Sequence, residues 1–460
     1  MPIQPDLSQP LAEFAFSTRY EDLPQSAIEG AKKSILDTMG VIVAASGMEP
    51  AVKGVIDFVK ESGGRAESSV LAFGLRVPAI MAAFANGAMA HCLDYDDQTP
   101  WGQHSASSLI PPVFAISERK GGVSGREMIT AVAIGQDMFN RFRRNVDWQK
   151  DWMFSTVIGI YCGAAASARI LGLSSQQIAN ALGITVMQSA GITEVINSTG
   201  SDLRALYAGF SSKGAAMAAI LAEKGVSGVP TLFEGQYGVM PLYFQNRYDR
   251  DKILDGLGRE FSGGLTLYKR WPAVGTNHSH IHATIQIVRE QKLRPDDIAE
   301  IKVFVGDYHR LSCEPLDTRR APTTLVDAKF SLPFLVAVAA TRGDVRLADF
   351  SREALASPEV LAVARRVVPV DDPSLDWKLE LPAGRVEIVT RDGRSFTRVG
   401  TAVPGNPEAP MSWDDLVSKF TDCAASAIKP ATPDKVAKAH EMVRSLETLP
   451  DATELLGSLN

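Results

Sequence analysis

The stretch PAIMAAFANGAMAHCLDYDDQTPWGQH, residues 78–104, joins a long apolar run to a dense polar segment. The apolar run, residues 78–93, is typical of a buried helix. The polar segment offers three carboxylates, an amide, a hydroxyl and an imidazole within eleven positions: Asp94, Asp96, Asp97, Gln98, Thr99 and His104. Pro100 and Gly102 break the helix, so we expect these groups on a loop anchored by a buried helix, where binding and catalysis concentrate. A solvated turn at an acidic helix end is the alternative that the pattern leaves open.

The bulk composition is that of an ordinary globular protein. Of 460 residues, 45% are hydrophobic and 22% are charged, which suits one or two large domains. The net charge of −6 and the lack of a lysine- or arginine-rich block argue against nucleic acid as a partner. No apolar run approaches the roughly 20 residues of a membrane helix, and the N-terminus lacks a signal-peptide pattern. We therefore expect neither nucleic acid nor a membrane as a partner.

The four cysteines lie far apart, without CxxC spacing: Cys92, Cys162, Cys313 and Cys423. This spacing argues against a zinc knuckle or a disulfide framework. Such cysteine usage is typical of a reducing compartment, and we expect a cytoplasmic protein.

Helical patterns dominate the first half of the chain. Pro24 opens one helix, and Gly47 ends it. Ser124 and Glu127 form a capping-box pattern that opens another. A short helix is predicted at 113–118, followed by alanine- and glycine-rich helices at 156–172, 175–191 and 203–225. Small residues at this density predict a tightly packed helical bundle.

The pattern changes after about residue 263. Ile301, Val303 and Val305 alternate with polar residues, as in a half-buried strand. Residues 385–390 and 395–399 flank an Asp-Gly pair, which is a strong hairpin signal. Helical patterns at 277–291 and 332–342 lie between these strands, and helices return from Ser412.

These patterns together predict a mainly α protein with two domains. A large all-helical domain would comprise residues 1–263 and 403–460. A smaller α/β (α+β) domain would comprise residues 264–402. The chain lacks the GxxxxGK[ST], GxGxxG, GxSxG and HExxH patterns, so nucleotide, nicotinamide, serine-hydrolase and zinc-protease interpretations lose support.

The segment KRWPAVGTNHSHIH, residues 269–282, contains three histidines at a spacing of two. On a strand they could share a face and bind metal, but the downstream apolar spacing is helical and Asn277 suits an N-cap. We therefore predict a helix and no metal site. His278 would then occupy the first turn, where the helix dipole disfavours an imidazolium and favours a bound carboxylate. A neutral base and a simple capping histidine both fit this placement.

The segment LRALYAGFSSK, residues 203–213, carries a permanent forked cation at Arg204. A guanidinium suits carboxylate recognition. On a surface helix it would merely be solvated, and the pattern alone does not separate the two.

Five segments in order resemble the MmgE/PrpD family: NGAMAHCLDYDD with the histidine at 104, SGRE at 124–127, LRALYAGFSSKGAAMAAILAEKGVSGVP at 203–230, KRWPAVGTNHSHIHA from 269, and DAKFSLPF at 327–334. The resemblance covers nearly the whole chain. It implies a homodimeric enzyme without a metal or other cofactor, with an active site between a helical domain and a smaller lid. It also implies a small polycarboxylate as substrate.

The resemblance assigns roles to individual residues. Asp94, His104 and His278 match the family in residue type. Two positions depart from it: Gln98 stands where decarboxylases of the family have threonine, and Arg204 stands where the family has lysine. A third, Gly275, stands where dehydratase-like members often have arginine. These departures imply an altered carboxylate geometry.

We therefore expect His104 and His278 to be the acid–base pair, in an order that the sequence leaves open. Asp94 would orient His104 or favour its protonated, charged form. The substrate-binding residues would be Arg204, Lys269, Lys213 and Gln98. The first expectation is a dehydratase resembling 2-methylcitrate dehydratase, acting at a carbon next to a carboxylate. An epimerase or racemase, a decarboxylase, and a catalytically inactive helical dimer that serves as a binding protein are the alternatives.

Overall fold

The computed structural model describes residues 4–198 and 200–458. The predicted division into 1–263 with 403–460 and 264–402 therefore includes six residues outside the described ones: 1–3, 199, 459 and 460. Helices fill the first part: Ser8–Ser17, Gln25–Met48, Ala51–Glu61, Ala79–His91, Ala106–Lys120, Gly125–Asn145, Phe154–Val157, Gly159–Ile170, Ser175–Thr185, Glu194–Asn197, Leu203–Leu206, Ala208–Glu223, Val239–Phe244 and Arg250–Leu254. A short antiparallel hairpin, Ser68–Val70 with Leu75–Val77, lies among them.

The second part contains a four-stranded sheet. Its order is Val367–Asp371, Ile298–Val305, Arg385–Thr390 and Ser395–Val399, with the first pair parallel and the others antiparallel. The helices of this part are His278–Gln291, Asp307–Arg310, Leu316–Arg320, Leu325–Lys329, Leu332–Arg342, Arg352–Leu355 and Pro358–Ala364. The C-terminal helices are Trp413–Ala425, Pro433–Arg444 and Glu454–Gly457. Short 3-10 turns are Tyr20–Asp22, Gly263–Leu265, Gly275–Asn277, Pro295–Asp297, Leu347–Phe350, Pro373–Leu375 and Leu446–Thr448.

Small residues bring the helices of the first part close together. A Cβ on Gly87 would lie 2.4 Å from Ser212 Oγ, and one on Gly163 would lie 2.5 Å from the Ser108 carbonyl oxygen. Helix Ala79–His91 therefore packs directly on helix Ala208–Glu223. The mainly α architecture with a small α/β part and its tight bundle confirm the fold predicted from the sequence.

The returning C-terminal segment packs on the first part. A Cβ on Gly40 would lie 3.1 Å from Phe420 Cδ2, and one on Gly47 would lie 2.3 Å from the Ser426 carbonyl oxygen. Helix Trp413–Ala425 thus lies along helix Gln25–Met48.

Four helix predictions were wrong in their bounds. The helix predicted at 156–172 is divided at Ile158 into Phe154–Val157 and Gly159–Ile170. Helix Ala106–Lys120 starts seven residues before the predicted 113–118 and runs through Pro111 and Pro112. Both prolines are buried in the bundle, and this packing offsets the hydrogen bonds that they cannot donate. The helix predicted to reach residue 191 ends at Thr185, and the one predicted at 203–225 is divided at Tyr207.

No single helix among the described residues is long and apolar enough to cross a membrane. Gln25–Met48 and Ala51–Glu61 satisfy the length and composition criteria only when taken together, across a bend of 99°.

Candidate active site

The loop after helix Ala79–His91 is buried, so the solvated-turn interpretation is wrong. Asp94, Asp96 and Asp97 are each at most 1% exposed. Asp94 has φ +47°, a left-handed conformation that is uncommon outside glycine and that concentrates at functional sites. Three carboxylates in the interior require cationic or donor partners, because unpaired buried charge is costly.

Lys269 is the main partner of Asp94. Its Nζ pairs with Asp94 Oδ1 and donates to the Asp94 carbonyl oxygen at 2.9 Å. Two backbone hydrogen bonds between Gln98 and Leu267, of 2.9 and 2.7 Å, fix the loop to the segment that carries Lys269. Burial alone would raise the pKa of Asp94, but Lys269 and the nearby histidines hold it well below its usual range. Asp94 is therefore ionised.

His104 is neutral, and its hydrogen bonding fixes the tautomer. Its Nδ1 lies 2.6 Å from the Asp97 carbonyl oxygen, which can only accept, so Nδ1 carries the hydrogen. Nε2 therefore keeps its lone pair, and it lies 3.9 Å from Asp94 Oδ1. Burial lowers the pKa of His104 to about 4. The His104 side chain is 13% exposed against 2% for Asp94, so the imidazole is the part of this pair that a substrate can reach.

His91 and Asp96 both contact the His104 ring, and the sequence analysis missed this role. His91 Nδ1 lies 3.1 Å from both carboxylate oxygens of Asp96, and the His91 ring packs edge-on against His104, with centroids 4.8 Å apart. The other face of His91 contacts Tyr207. A buried histidine in the last turn of an apolar helix was the available signal. We call His91, Asp96 and His104 the imidazole–carboxylate cluster.

The cluster has the composition of a metal site. Its ligand atoms all lie within 4.8 Å of one another, and two imidazoles with a carboxylate suit divalent transition metals. Nδ1 is the His104 nitrogen that lies 3.5 Å from Asp96 Oδ2, and it would have to lose its hydrogen and its bond to the Asp97 carbonyl before it could ligate an ion beside Asp96. The absence of a metal stays a prediction, which chelation can test.

Asp97 differs from Asp94 and Asp96 in the direction of its pKa shift. It accepts from Ser105 Oγ at 2.9 Å and from the Ala106 backbone N–H at 3.1 Å, at the start of helix Ala106–Lys120. Burial, with Asp96 adding to it, raises the pKa of Asp97 to about 7. Asp97 thus titrates near neutrality, and its own backbone carbonyl accepts the hydrogen bond from His104 Nδ1.

His278 starts helix His278–Gln291, as predicted, and is buried. Its Nε2 lies 3.1 Å from the Ala273 carbonyl oxygen, so Nε2 donates and Nδ1 keeps a lone pair. Burial, with Lys269 adding to it, lowers the pKa of His278 to about 3, and Asp94 acts against this. His278 is therefore within electrostatic range of the Asp94–Lys269 pair.

The predicted capping role of Asn277 is wrong, because its side chain makes no cap bond and both of its polar side-chain atoms are buried without a partner. His280 points elsewhere, with its Nε2 2.8 Å from the Phe304 carbonyl oxygen.

Arg204 is buried rather than solvated, with 1% of its surface exposed. Its guanidinium lies 3.5 Å from the Phe330 ring centroid, and its Nε is buried without a partner. Among the described residues, no carboxylate lies within 4 Å of it. Burial, with Arg319 adding to it, lowers the pKa of Arg204 to about 9, whereas Asp94 acts to raise it. A buried cation without a counter-ion, in electrostatic range of Asp94, is a candidate carboxylate receptor.

The two departures from the family at Gln98 and Gly275 are in contact. A Cβ on Gly275 would lie 1.8 Å from Gln98 Oε1. The larger side chain at 98 therefore fills the space that a side chain at 275 would need, so the two positions depend on each other.

Lys213 lines a cavity that no residue of the acidic loop lines. It is half-buried, with its Nζ 5.9 Å from the Phe210 ring centroid, in an apolar cavity of about 320 Å³ that Tyr207 also lines. Its role in substrate binding stays a prediction.

Lys419, which the sequence analysis also missed, connects two segments of the site: the loop that carries Asp94 and the segment that carries Lys269. Its buried Nζ donates to the carbonyl oxygens of Tyr95 at 2.6 Å and Lys269 at 3.0 Å, and pairs with Asp37 at 2.7 Å. The C-terminal helix Trp413–Ala425 thus fixes the backbone beside both Asp94 and Lys269. Only the folded chain brings residues this far apart in sequence together.

The two-part fold and this site agree with one family. Residues 9–251 match the MmgE/PrpD N-terminal domain, and residues 271–448 match the MmgE/PrpD C-terminal domain. The chain belongs to the MmgE/PrpD family. The C-terminal family domain continues past residue 403, so the division at 402 stays a prediction.

Individual relatives are similar over most of their length. Cis-aconitate decarboxylase of Aspergillus terreus is 26% identical, covering 98% of this chain and 95% of that protein. Cis-aconitate decarboxylase of Mus musculus is 24% identical, covering 98% and 92%. 2-Methylcitrate dehydratase of Cupriavidus necator is 23% identical, covering 83% and 81%. These comparisons confirm the predicted family and the prediction of an enzyme of the lyase class.

Proposed function

We propose that this chain is a cofactor-independent lyase that acts at a carbon next to a carboxylate of a small polycarboxylic acid. The observation that carries the proposal is the neutral His104 imidazole, whose Nε2 lone pair faces ionised Asp94. Arg204, which has no counter-ion and lies within electrostatic range of Asp94, adds a receptor for the substrate carboxylate. A base, a group that stabilises its protonated form and a buried cation are what proton abstraction next to a carboxylate needs.

The first reaction we propose is dehydration. His104 Nε2 takes a proton from the carbon next to the carboxylate, and Asp94 stabilises the imidazolium that forms. Arg204 and Lys269 stabilise the negative charge that develops on the carboxylate. Substrate carboxylates beside His278 raise its pKa, so that its Nδ1 takes up a proton from solvent as substrate binds. The hydroxyl on the neighbouring carbon then takes this proton and leaves as water. An alkene remains.

Decarboxylation is the second candidate, because the matching decarboxylases cover 98% of the chain and the Cupriavidus dehydratase covers 83%. In that reaction a carbon–carbon bond breaks, carbon dioxide leaves, and an imidazolium protonates the carbanion. The same residues serve both reactions. Gln98 replaces the decarboxylases' threonine and Gly275 replaces the arginine of dehydratase-like members, so the substrate screen decides between the two reactions.

We also propose that the enzyme is a cytoplasmic homodimer. Four buried cysteines that form no disulfide suit a reducing compartment. Light scattering after size exclusion measures the oligomeric state directly.

The test is a substrate screen of 2-methylcitrate, citrate, cis-aconitate, tartrate and amino-dicarboxylic acids. Dehydration appears as alkene absorbance in the ultraviolet, and decarboxylation as released carbon dioxide. We expect turnover of a tricarboxylate that His104→Gln reduces by about 10²–10⁴-fold. Turnover of none of these acids, or equal turnover by His104→Gln, would overturn the proposal.

A further inference from the structure

A second charged cavity lies at the seam between the two parts of the molecule. It has a volume of about 790 Å³ and is lined by residues 143–150, residues 247–249 and Lys252 of the helical part and by Asp307 and residues 377–379 of the α/β part. None of the proposed catalytic or substrate-binding residues lines it. We call it the seam cavity.

The seam cavity is cationic, although the chain as a whole carries a net charge of −6. Six cationic side chains line it against three aspartates: Arg143, Arg144, Lys150, Arg247, Lys252 and Lys378 against Asp147, Asp249 and Asp307. Two of the aspartates are already paired, Asp249 with Lys252 at 3.0 Å and Asp307 with Lys150 at 2.5 Å. In residues 4–198 and 200–458, the other four cations have no carboxylate within 4 Å. Arg144 and Lys378 are exposed, Arg247 is partly buried and Arg143 is buried, so these four groups are available to an anion that enters the cavity.

Arg143 shows this deficit in the interior, because it is 2% exposed. Its guanidinium carbon lies 5.4–5.8 Å from the ring centroids of Trp148, Phe154 and Trp377, and its Nε is buried without a partner. Burial lowers its pKa to about 10. A desolvated guanidinium without a counter-charge is stabilised by any anion that reaches it.

The cavity walls also touch the loop that carries His104. Arg143 Nη2 donates to the Trp101 carbonyl oxygen at 2.5 Å, and the Arg144 guanidinium lies 5.0 Å from the Trp101 ring centroid. Trp377, from the α/β part, packs on Gly102, where a Cβ would lie 2.2 Å from the indole Cζ2. Gly102 also has φ +76°, so no other residue fits easily here.

We propose that the seam cavity is a second binding site for a small multivalent anion, and that its occupation holds the Trp101–Gly102 turn and therefore His104 in place. The ligand chemistry is a cluster of anionic oxygens, which guanidinium groups bind in pairs. A polycarboxylate and a phosphate compound both offer it. The proposal that an anion binds in the seam cavity does not depend on the lyase proposal. Only an effect of this anion on turnover, through the position of His104, rests on the lyase proposal.

Calorimetric titration of Arg204→Met protein separates this site from the proposed substrate site. The probes are tricarballylate, a tricarboxylate, and inorganic pyrophosphate. We expect one anion bound per chain, with the tighter probe identifying the class. Adding Arg144→Glu and Arg247→Glu together should weaken binding at least tenfold, because two cations become anions. The matched control, Arg259→Glu with Arg352→Glu, makes the same charge change at exposed arginines away from the cavity and should leave binding unchanged.

Hydrogen exchange in the otherwise wild-type protein tests the coupling to the loop. The probe should slow exchange of the backbone amides at 99–104, and the Arg144→Glu, Arg247→Glu variant should lose this protection. Binding of neither probe, or equal weakening by the control pair, would overturn the site. Binding without protection of the loop would overturn the coupling. Because neither readout requires turnover, a failed substrate screen would leave both results valid.

Discussion

Replacing Arg204 with methionine should stabilise the free protein while destroying its ability to bind substrate. The guanidinium is buried and lacks an anionic partner, and burial lowers its pKa well below its ordinary value, to about 9. At about 1.4 kcal/mol per pH unit, burial costs the charged group on the order of 5 kcal/mol. Methionine removes that cost but loses about 1–2 kcal/mol of cation–π contact with Phe330 and some packing. We expect a net gain of about 1–3 kcal/mol in the free energy of unfolding.

Arg319 provides the matched control for this prediction. It is also 1% exposed, and burial also lowers its pKa. Its guanidinium, however, donates to the carbonyl oxygens of Glu314 and Leu311, each at 3.0 Å, whereas that of Arg204 donates to the Ser198 carbonyl oxygen at the longer distance of 3.5 Å. Arg319→Met would leave these acceptors unpaired and should destabilise the protein by about 2–4 kcal/mol.

Thermal unfolding with and without tricarballylate measures both effects. Arg204→Met should raise the midpoint by a few degrees and lose the part of the tricarballylate stabilisation that comes from the substrate site, keeping the part that comes from the seam cavity, whereas Arg319→Met should lower the midpoint. In kinetics on the true substrate, Arg204→Met should raise KM about 100-fold or more. If Arg204→Met instead lowered the midpoint as far as Arg319→Met and kept its substrate affinity, Arg204 would be a structural residue.

Three further changes probe the supports of the site. Lys419→Met leaves Asp37 buried and unpaired and frees the backbone of Tyr95 and Lys269. It should therefore lower the free energy of unfolding by about 3–5 kcal/mol and reduce kcat. If Lys419 has only a structural role, kcat of the folded fraction should be unchanged. Folded Asp97 keeps its proton up to about pH 7 whereas the unfolded chain loses it near pH 4, so its contribution to stability falls as pH rises through that window. Asp97→Asn should therefore gain stability over wild type between pH 5 and pH 8, on the order of 3 kcal/mol, and parallel pH curves would refute the shift. EDTA should leave activity unchanged, and a loss that a divalent metal restores would assign an ion to the imidazole–carboxylate cluster.

Local sequence patterns predicted the elements whose causes are local. The Asp392-Gly393 pair placed the hairpin of Arg385–Thr390 and Ser395–Val399, and the apolar spacing after Asn277 placed the helix that starts at His278. Local patterns failed where packing decides. The prolines at 111 and 112 lie inside a helix because the bundle buries them.

The site was predictable in its members but not in its electrostatics. Asp94, His104 and His278 follow from the resemblance, yet no sequence pattern shows that Arg204 is buried without a counter-ion. The same holds for Lys419, whose partners lie 150 residues or more away along the chain. The charge state of His104 depends on burial and on one carbonyl of Asp97, both of which are tertiary features.

The central claim is that neutral His104 removes a proton from the carbon next to a substrate carboxylate, and deuterium exchange tests it directly. In D₂O, wild-type enzyme with its true substrate should place deuterium at that carbon, followed by NMR, with a rate that falls as the pH is lowered towards 4 and His104 becomes protonated. His104→Gln should show exchange reduced by at least 10²-fold while its circular dichroism and thermal midpoint stay close to wild type. Exchange at the wild-type rate in His104→Gln would contradict the account and transfer the role of base to Asp94 or His278.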